Sequence, residues 1–470
     1  MAVFGKQASA AAISRILQAK VLLIGGLIIM VLSLAFGTYF VMTRSTATHS
    51  IPVTRSTTTT VTQTQPTVTS SNYQAEVTAV GKQYMNALLQ QKYDVMWSML
   101  HPQVQAQWSD EQAFASYLKA HFQGYTLQSF SSGTVSQLSF WVNPETMVQY
   151  NTVQLMPISL QLKSQLPPQQ QARLAPQFQH PSSIFQNLPF IVQLDPSSAT
   201  GANQHWLILS GGPADPEAPI LPPTTLISRT VKVPILMYHY ISVVPANDPN
   251  PVLRQGLSVS PQLFNQQLDY LKQQGFHSIT VNQLMNALYY GAPLPSKPII
   301  FTFDDGYLDA YTNAYPALKA HGFSGMFYII TGKVGWQGQM SWNQMREMLA
   351  NGMQMGSHTV HHVDMGTTYL ASVMQATQEV QVSQADMQSH LGIVVQHFCY
   401  PNGGPFKGHN LLLQQEVVAL LAANGYVDAT TDPGPTGVMQ SDIAPFVLLR
   451  LRMSGRSSFQ YFVSTMQAYV

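Results

Sequence analysis

The sequence predicts an α/β protein in which a parallel sheet, closed into a barrel, fills the C-terminal half. A smaller α+β domain and one transmembrane helix precede it. Three observations predict this. From Val231 onward, short apolar and β-branched runs alternate with helical stretches, the pattern of a parallel sheet. Between Tyr73 and Leu209, helix-spaced apolar residues come first and strand-spaced ones follow, the order of an α+β domain. Val21 to Met42 carries no charge and is long enough to cross a hydrocarbon core of roughly 30 Å.

At 470 residues the chain exceeds one ordinary core, so several domains are expected. The net charge is +1 and charged residues make up 9%, with no Lys/Arg stripe to neutralise phosphates, so no nucleic-acid partner is expected. One cysteine, Cys399, excludes an internal disulfide framework and a Cys-rich metal site.

In chain order, residues 1–20 read as a cytoplasmic N-terminus. Lys6, Arg15 and Lys20 precede the apolar segment 21–42, and this bias favours the N-terminus inside and the bulk of the chain outside. The segment reads as a retained anchor, with a cleaved signal peptide as the alternative. Residues 43–71 are dominated by Thr, Ser, Val and Gln, and read as an extended stalk with too little apolar surface to fold.

Residues 72–210 form the α+β domain. Val77, Val80, Tyr84 and Leu88 recur at helical spacing, and Asp110 is placed to cap a second helix over Ala113 to Phe122. Strands are expected at Thr134–Val142, Met147–Leu162, Ile184–Leu194 and His205–Leu209. The element order resembles the NTF2-like group. His101, His121 and His205 are assigned no chemistry, and a spacer or wall-binding role is the default. The Gly- and Pro-rich stretch 211–230 reads as a linker.

Residues 231–470 form the barrel. Strands are expected at Pro234–Tyr238, Ser278–Val281, Pro298–Phe303, Gly325–Ile330, Gln354–Ser357, His397–Tyr400, Tyr426–Thr430 and Phe446–Met453. Helices are expected at Pro261–Gln274, Tyr307–His321, Ser341–Asn351, Thr368–Leu391 and Asn410–Asn424. Barrel enzymes place their chemistry at the C-terminal ends of strands.

The run Ile299-Ile-Phe-Thr-Phe-Asp-Asp-Gly-Tyr307 is a buried strand ending in two adjacent carboxylates. Successive strand side chains point to opposite faces, so Asp304 and Asp305 serve different ends, and buried charges there need a partner. His358 and His362, four apart after another strand end, suit a shared cation; with Asp305 they make three protein ligands and leave positions open, the form of a catalytic site. His361 competes for the second histidine position. The loop in Phe398-Cys-Tyr-Pro-Asn-Gly-Gly404 offers bare backbone N–H groups to an oxyanion.

Thr302-Phe-Asp-Asp-Gly306, Ser357-His-Thr-Val-His-His362 and Phe398-Cys-Tyr-Pro-Asn-Gly403 resemble the successive signatures of the polysaccharide deacetylases (NodB homology domain, carbohydrate esterase family four). The resemblance spans about Val231 to the end, and Leu236-Met-Tyr-His239 is similar to the rearranged order of exopolysaccharide deacetylases. It implies a deformed (β/α) barrel, a divalent metal, most often Zn2+, and removal of acetyl groups from an N-acetylated polysaccharide of the cell wall or extracellular space. Carried over by position, Asp304 matches the base, Asp305, His358 and His362 the metal ligands, and Asn402 the oxyanion N–H. Where many members have an arginine in the third signature, this chain has Cys399; Arg450 from the last strand could supply that charge, with Arg452 the alternative. No histidine follows His409, so His239 is the candidate general acid.

The resulting expectation is a hydrolase on the cell membrane, single-pass, with its catalytic domain extracellular. Two other classes stand beside it. A two-His-one-carboxylate set also suits non-haem iron oxygenases, which need no second aspartate. A membrane-tethered glycan-binding protein would keep an inactive barrel, which the intact Asp304 argues against.

Overall fold

The computed structural model describes residues 73–468, except 144–147, 172–178, 180, 196–204, 217, 220, 222–227, 409 and 433–435. The expected anchor at 21–42 and stalk at 43–71 lie outside the described residues. Among the described residues no helix is long and apolar enough to cross a membrane.

The first sheet is antiparallel and built from β1 (Tyr125–Ser132), β2 (Ser136–Val142), β3 (Gln149–Ser164), β4 (Leu188–Leu194) and β5 (Trp206–Gly211). The long β3 is its spine: β1 pairs with its second half, β2 with its first half, and β4 with its other edge. The helix Tyr73–Leu89 lays Val77, Tyr84, Met85 and Leu88 on this sheet. Gly81 lets Met156 and Phe190 come close, and Trp206 Nε1 donates to Glu76 Oε2 at 3.0 Å. Asp110 caps the next helix, Glu111–His121, by accepting from Ala113 N at 2.7 Å. Full burial of each such large apolar side chain contributes about 1.5–3 kcal/mol. His101 lines a small cavity with Gln103, Tyr150, Asn151 and Gln193, whereas His205 is exposed. Part of the expected linker belongs to this domain, because Ala214, Ala218 and Leu221 are buried in its core.

The second half opens with β6 (Thr230–Lys232), which pairs with the later β14 (Met439–Ser441) outside the barrel. The barrel wall runs through β7 (Ile235–Tyr238), β9 (Pro298–Phe303), β10 (Met326–Ile329), β11 (Gln354–Ser357), β12 (His397–Cys399), β13 (Asp428–Thr430) and β15 (Leu451–Arg452), all parallel. The short β8 (His277–Ser278) adds to β9. In space the order is β13-β12-β11-β10-β9-β7-β15, and a parallel bridge from Thr430 to Leu448 closes the gap between the outer two. A short wall strand, a helix and the next wall strand recur because the chain alternates buried runs with amphipathic ones.

Strand alternation separates two environments. Phe301, Phe303, Phe327 and Phe398 pack outward among the helices, while Ile300, Met326, Tyr328 and Cys399 share a separate buried cluster inside. Asp304 continues β9, so it sits on the inner register with Ile300 and Thr302.

Candidate active site

Asp304 is buried and its backbone N–H donates to Tyr238 O at 2.9 Å, which fixes it where β9 meets β7. Arg450, just before β15, reaches it with both ends of its fork: Nη1 donates to Oδ1 and Nη2 to Oδ2, each at 2.8 Å. The guanidinium is itself held by Thr302 Oγ1 (3.1 Å) and Thr431 O (2.7 Å). Nη2 also donates to Cys399 Sγ at 3.2 Å, and that thiol faces Asp304 Oδ2 at 3.6 Å. Burial opposes ionisation of Asp304, but the Arg450 charge and its hydrogen bonds outweigh burial and hold the carboxyl below its ordinary range. Arg452, in β15, instead faces Asp432 at 3.4 Å, so the two arginines part company.

His239 ends the first wall strand with Nε2 3.9 Å from Asp304 Oδ2 and its Nδ1 buried without a hydrogen bond. Burial pulls its pKa below the ordinary histidine value, against the opposing pull of Asp304 and Asp305.

Asp305 turns away from this group. Its backbone takes a positive φ of 75°, and its Oδ1 stands 3.3 Å from His358 Nε2 and 3.1 Å from His362 Nε2. That Oδ1 is buried and makes no hydrogen bond, although two ring nitrogens face it. His358 Nδ1 donates to Cys399 O at 2.8 Å, which leaves its Nε2 free to offer a lone pair inward. A buried carboxylate oxygen and two imidazole nitrogens, all within 4.8 Å of one another, fit a divalent cation. Asp304, His358 and Cys399 also cluster, but the Arg450 guanidinium bonded to two of them would repel a cation there. His361 is 71% exposed at its side chain and its Nδ1 bonds Glu379 Oε1 at 2.7 Å, so it does not join the group that faces Asp305.

Asn402 lies on the turn after β12, exposed and with φ at 57°. The glycines beside it allow close approach: a Cβ on Gly404 would run into the Asp364 carboxylate, and one on Gly403 into Asp432 O. Besides the residues expected from sequence, the geometry adds Thr302 and Cys399 as partners of the Asp304–Arg450 pair, and Glu379 beneath the histidine loop. A carboxylate among Ala376, Val380, Ser383 and Met387 on one helix face was the available signal for Glu379.

These features agree with what the chain is similar to. Residues 291–426 match the family model described as polysaccharide deacetylase. The Bacillus subtilis protein YxkH, named as a polysaccharide deacetylase, is 27% identical over 244 residues, covering 51% of this chain and 78% of that protein. The poly-β-1,6-N-acetyl-D-glucosamine N-deacetylase of Escherichia coli is 36% identical over 64 residues, which are 14% of this chain and 10% of that one. The solved structure of the Streptococcus pyogenes deacetylase PplD in complex with acetate aligns with a TM-score of 0.44 at 29% identity, covering 51% of this chain and 99% of that one. The segment that matches the family model, residues 291–426, lies within the barrel half.

Proposed function

We propose that this chain is a divalent-metal-dependent hydrolase, with zinc as its ion, that removes N-acetyl groups from a cell-wall or extracellular polysaccharide rich in N-acetylglucosamine. The observation that carries this reading is the division between neighbouring carboxylates: Asp305 faces two imidazoles, while Asp304 faces a guanidinium and a third imidazole. The polymer named for the E. coli relative supports the choice of sugar. The same reading sets the barrel outside the cell on a retained anchor at 21–42. It takes 72–210 as an NTF2-like spacer, which the helices-then-antiparallel-sheet order supports.

Asp305, His358 and His362 would hold the ion, which when bound polarises the acetamide carbonyl and makes water more acidic. Asp304, kept ionised by Arg450, accepts the proton of the attacking water. The Asn402 N–H donates to the oxyanion, a contribution of about a hundredfold or more for one such donor. His239 then protonates the leaving amine as the C–N bond breaks, giving acetate and a free amino sugar. Since burial leaves the His239 imidazole neutral around neutral pH, its proton comes from Asp304, 3.9 Å away.

Acetate release from a panel of N-acetylated glycans, with metal analysis of the same protein, tests this. Asp304→Asn should abolish release with zinc still bound, and Asp305→Asn should weaken zinc binding. Full activity in both variants would sink the site, and equal metal loss in both would merge the two roles.

A further inference from the structure

The loop 358–362, which follows β11, holds an unusual backbone. Thr359 and His362 have φ of 65° and 61°, a region that a β-branched residue such as threonine rarely enters. Such conformations persist only where the surroundings over-determine them. The loop is tied on one side to the turn after β10, by Thr331 N donating to Thr359 O (3.2 Å) and Gly332 N to Val360 O (3.0 Å). Within the loop, His362 N donates to Thr359 Oγ1 at 2.9 Å.

On the other side stands Glu379, from the helix Val373–Leu391. Its side chain is only 6% exposed. Oε2 accepts from both Val360 N and His361 N at 3.0 Å, and Oε1 from His361 Nδ1 at 2.7 Å. One turn further along the same helix, Ser383 Oγ bonds Ser357 Oγ at 2.8 Å, immediately before His358. The helix therefore grips the loop on both sides of His358. Two consecutive backbone N–H groups aimed at one oxygen need a strong acceptor, and a carboxylate supplies it with charge to spare for the third bond. Nothing in the chemistry of amide hydrolysis uses Glu379, and a charge this buried is costly unless fully satisfied.

We propose that Glu379 is the positioning residue of the metal site. Its buried carboxylate clamps loop 358–362 in the strained form in which His358 and His362 both face Asp305. This rests on the reading of Asp305, His358 and His362 as the metal ligands. The exposed His361 completes the clamp from outside, which gives the third histidine of the loop a role distinct from its neighbours.

The test is zinc affinity of the purified full-length chain, measured by competition with a chromophoric chelator. Glu379→Gln keeps the side-chain shape but puts an NH2 where two donors or an imidazole now meet an oxygen. Its affinity for zinc should fall about tenfold to a hundredfold, the usual effect of losing an outer support of a metal site. Val380→Ala, one residue along on the same buried face, loosens the helix without touching the loop, and should leave zinc affinity unchanged while lowering the melting temperature. Equal affinities in the wild type and Glu379→Gln, or an equal loss in Val380→Ala, would overturn the clamp. If Glu379→Gln does not fold, His361→Ala removes one clamp bond from an exposed position and should still weaken zinc binding; an unchanged value there overturns the proposal too. A wild-type chain that binds no zinc overturns the metal reading itself, and is told apart because the variants then have nothing to lose.

Discussion

Arg450 sets the acidity of Asp304, the base of the proposed mechanism. Burial alone would push the carboxyl up, and the bidentate guanidinium reverses that sign. A carboxyl whose folded pKa is depressed adds stability that is present above its unfolded value, about 3.9, and is lost as pH falls through the folded one. In Arg450→Met burial prevails, so the acidic limb of the pH–rate profile should move to higher pH with metal content unchanged. Breaking a buried pair typically costs about 3–5 kcal/mol, so the melting temperature should fall as well. An unmoved limb would remove Arg450 from the site. His239→Ala should slow turnover by about a hundredfold to ten-thousandfold, the usual worth of a positioned proton donor. Because its imidazole is already neutral at rest, the loss should be similar across the neutral pH range, with zinc retained. A normal rate would place the acid elsewhere. At this scale the split between Asp304 and Asp305 was legible, because adjacent strand residues cannot face the same way. The place of Arg450 was legible from the missing arginine at Cys399. Glu379 was not, because a lone Glu in a Gln-rich helix looks solvated until its face is known to be buried.

Elements were legible where one physical signal acted alone. The expected strands Pro298–Phe303 and Gln354–Ser357 coincide with β9 and β11; the first is a continuous apolar run, whereas the second, Gln-Met-Gly-Ser, was marked by the histidines that follow it. Edge and break signals were harder to read. β1 was missed: Tyr-Thr-Leu-Gln-Ser-Phe-Ser-Ser is polar and half-exposed, and its identity comes from pairing with β3 rather than from its own pattern. The expected helix Thr368–Leu391 is two helices, Met365–Ala371 and Val373–Leu391, because Ser372 is extended and caps the second through Gln375 N at 3.2 Å. The expected helix Tyr307–His321 begins in a wider turn at Ala310–Ala314, ahead of Pro316, which has no N–H to give. The expected strand Phe446–Met453 shrinks to Leu451–Arg452, with a tight turn at Pro445–Val447. Just ahead of that short strand, Arg450 enters the barrel and its Nε donates to Thr431 O, across the gap between the outer strands.

At the scale of the whole molecule, the α+β domain docks under the barrel. Trp141 Nε1 donates to Gly392 O at 3.1 Å, and Arg346 lies over the Phe140 ring at 5.4 Å. Gly425 lies so close to Ser183 O that a Cβ would come within 2.6 Å of it. Gly392 and Gly425 end helices and precede β12 and β13, so they belong to the floor of the barrel, opposite the strand ends that carry Asp304, Asp305 and His358. Val394 and Val427, in the same floor connections, join the core of the α+β domain. The strand ends that carry these residues therefore lie on the side away from that domain. The two domains should also behave as one body under mild proteolysis. If the chain is anchored by 21–42 with its bulk outside, protease added to intact cells should cut the Thr-rich stretch 43–71, whose composition favours an open chain. The released fragment should contain both domains and keep its acetate-releasing activity, because the Pro-rich connection continues into Ala218 and Leu221, which are buried in the first core. A chain fully protected on intact cells would reverse the proposed orientation. A first cut between the domains would mean that the floor contact is too weak to join them.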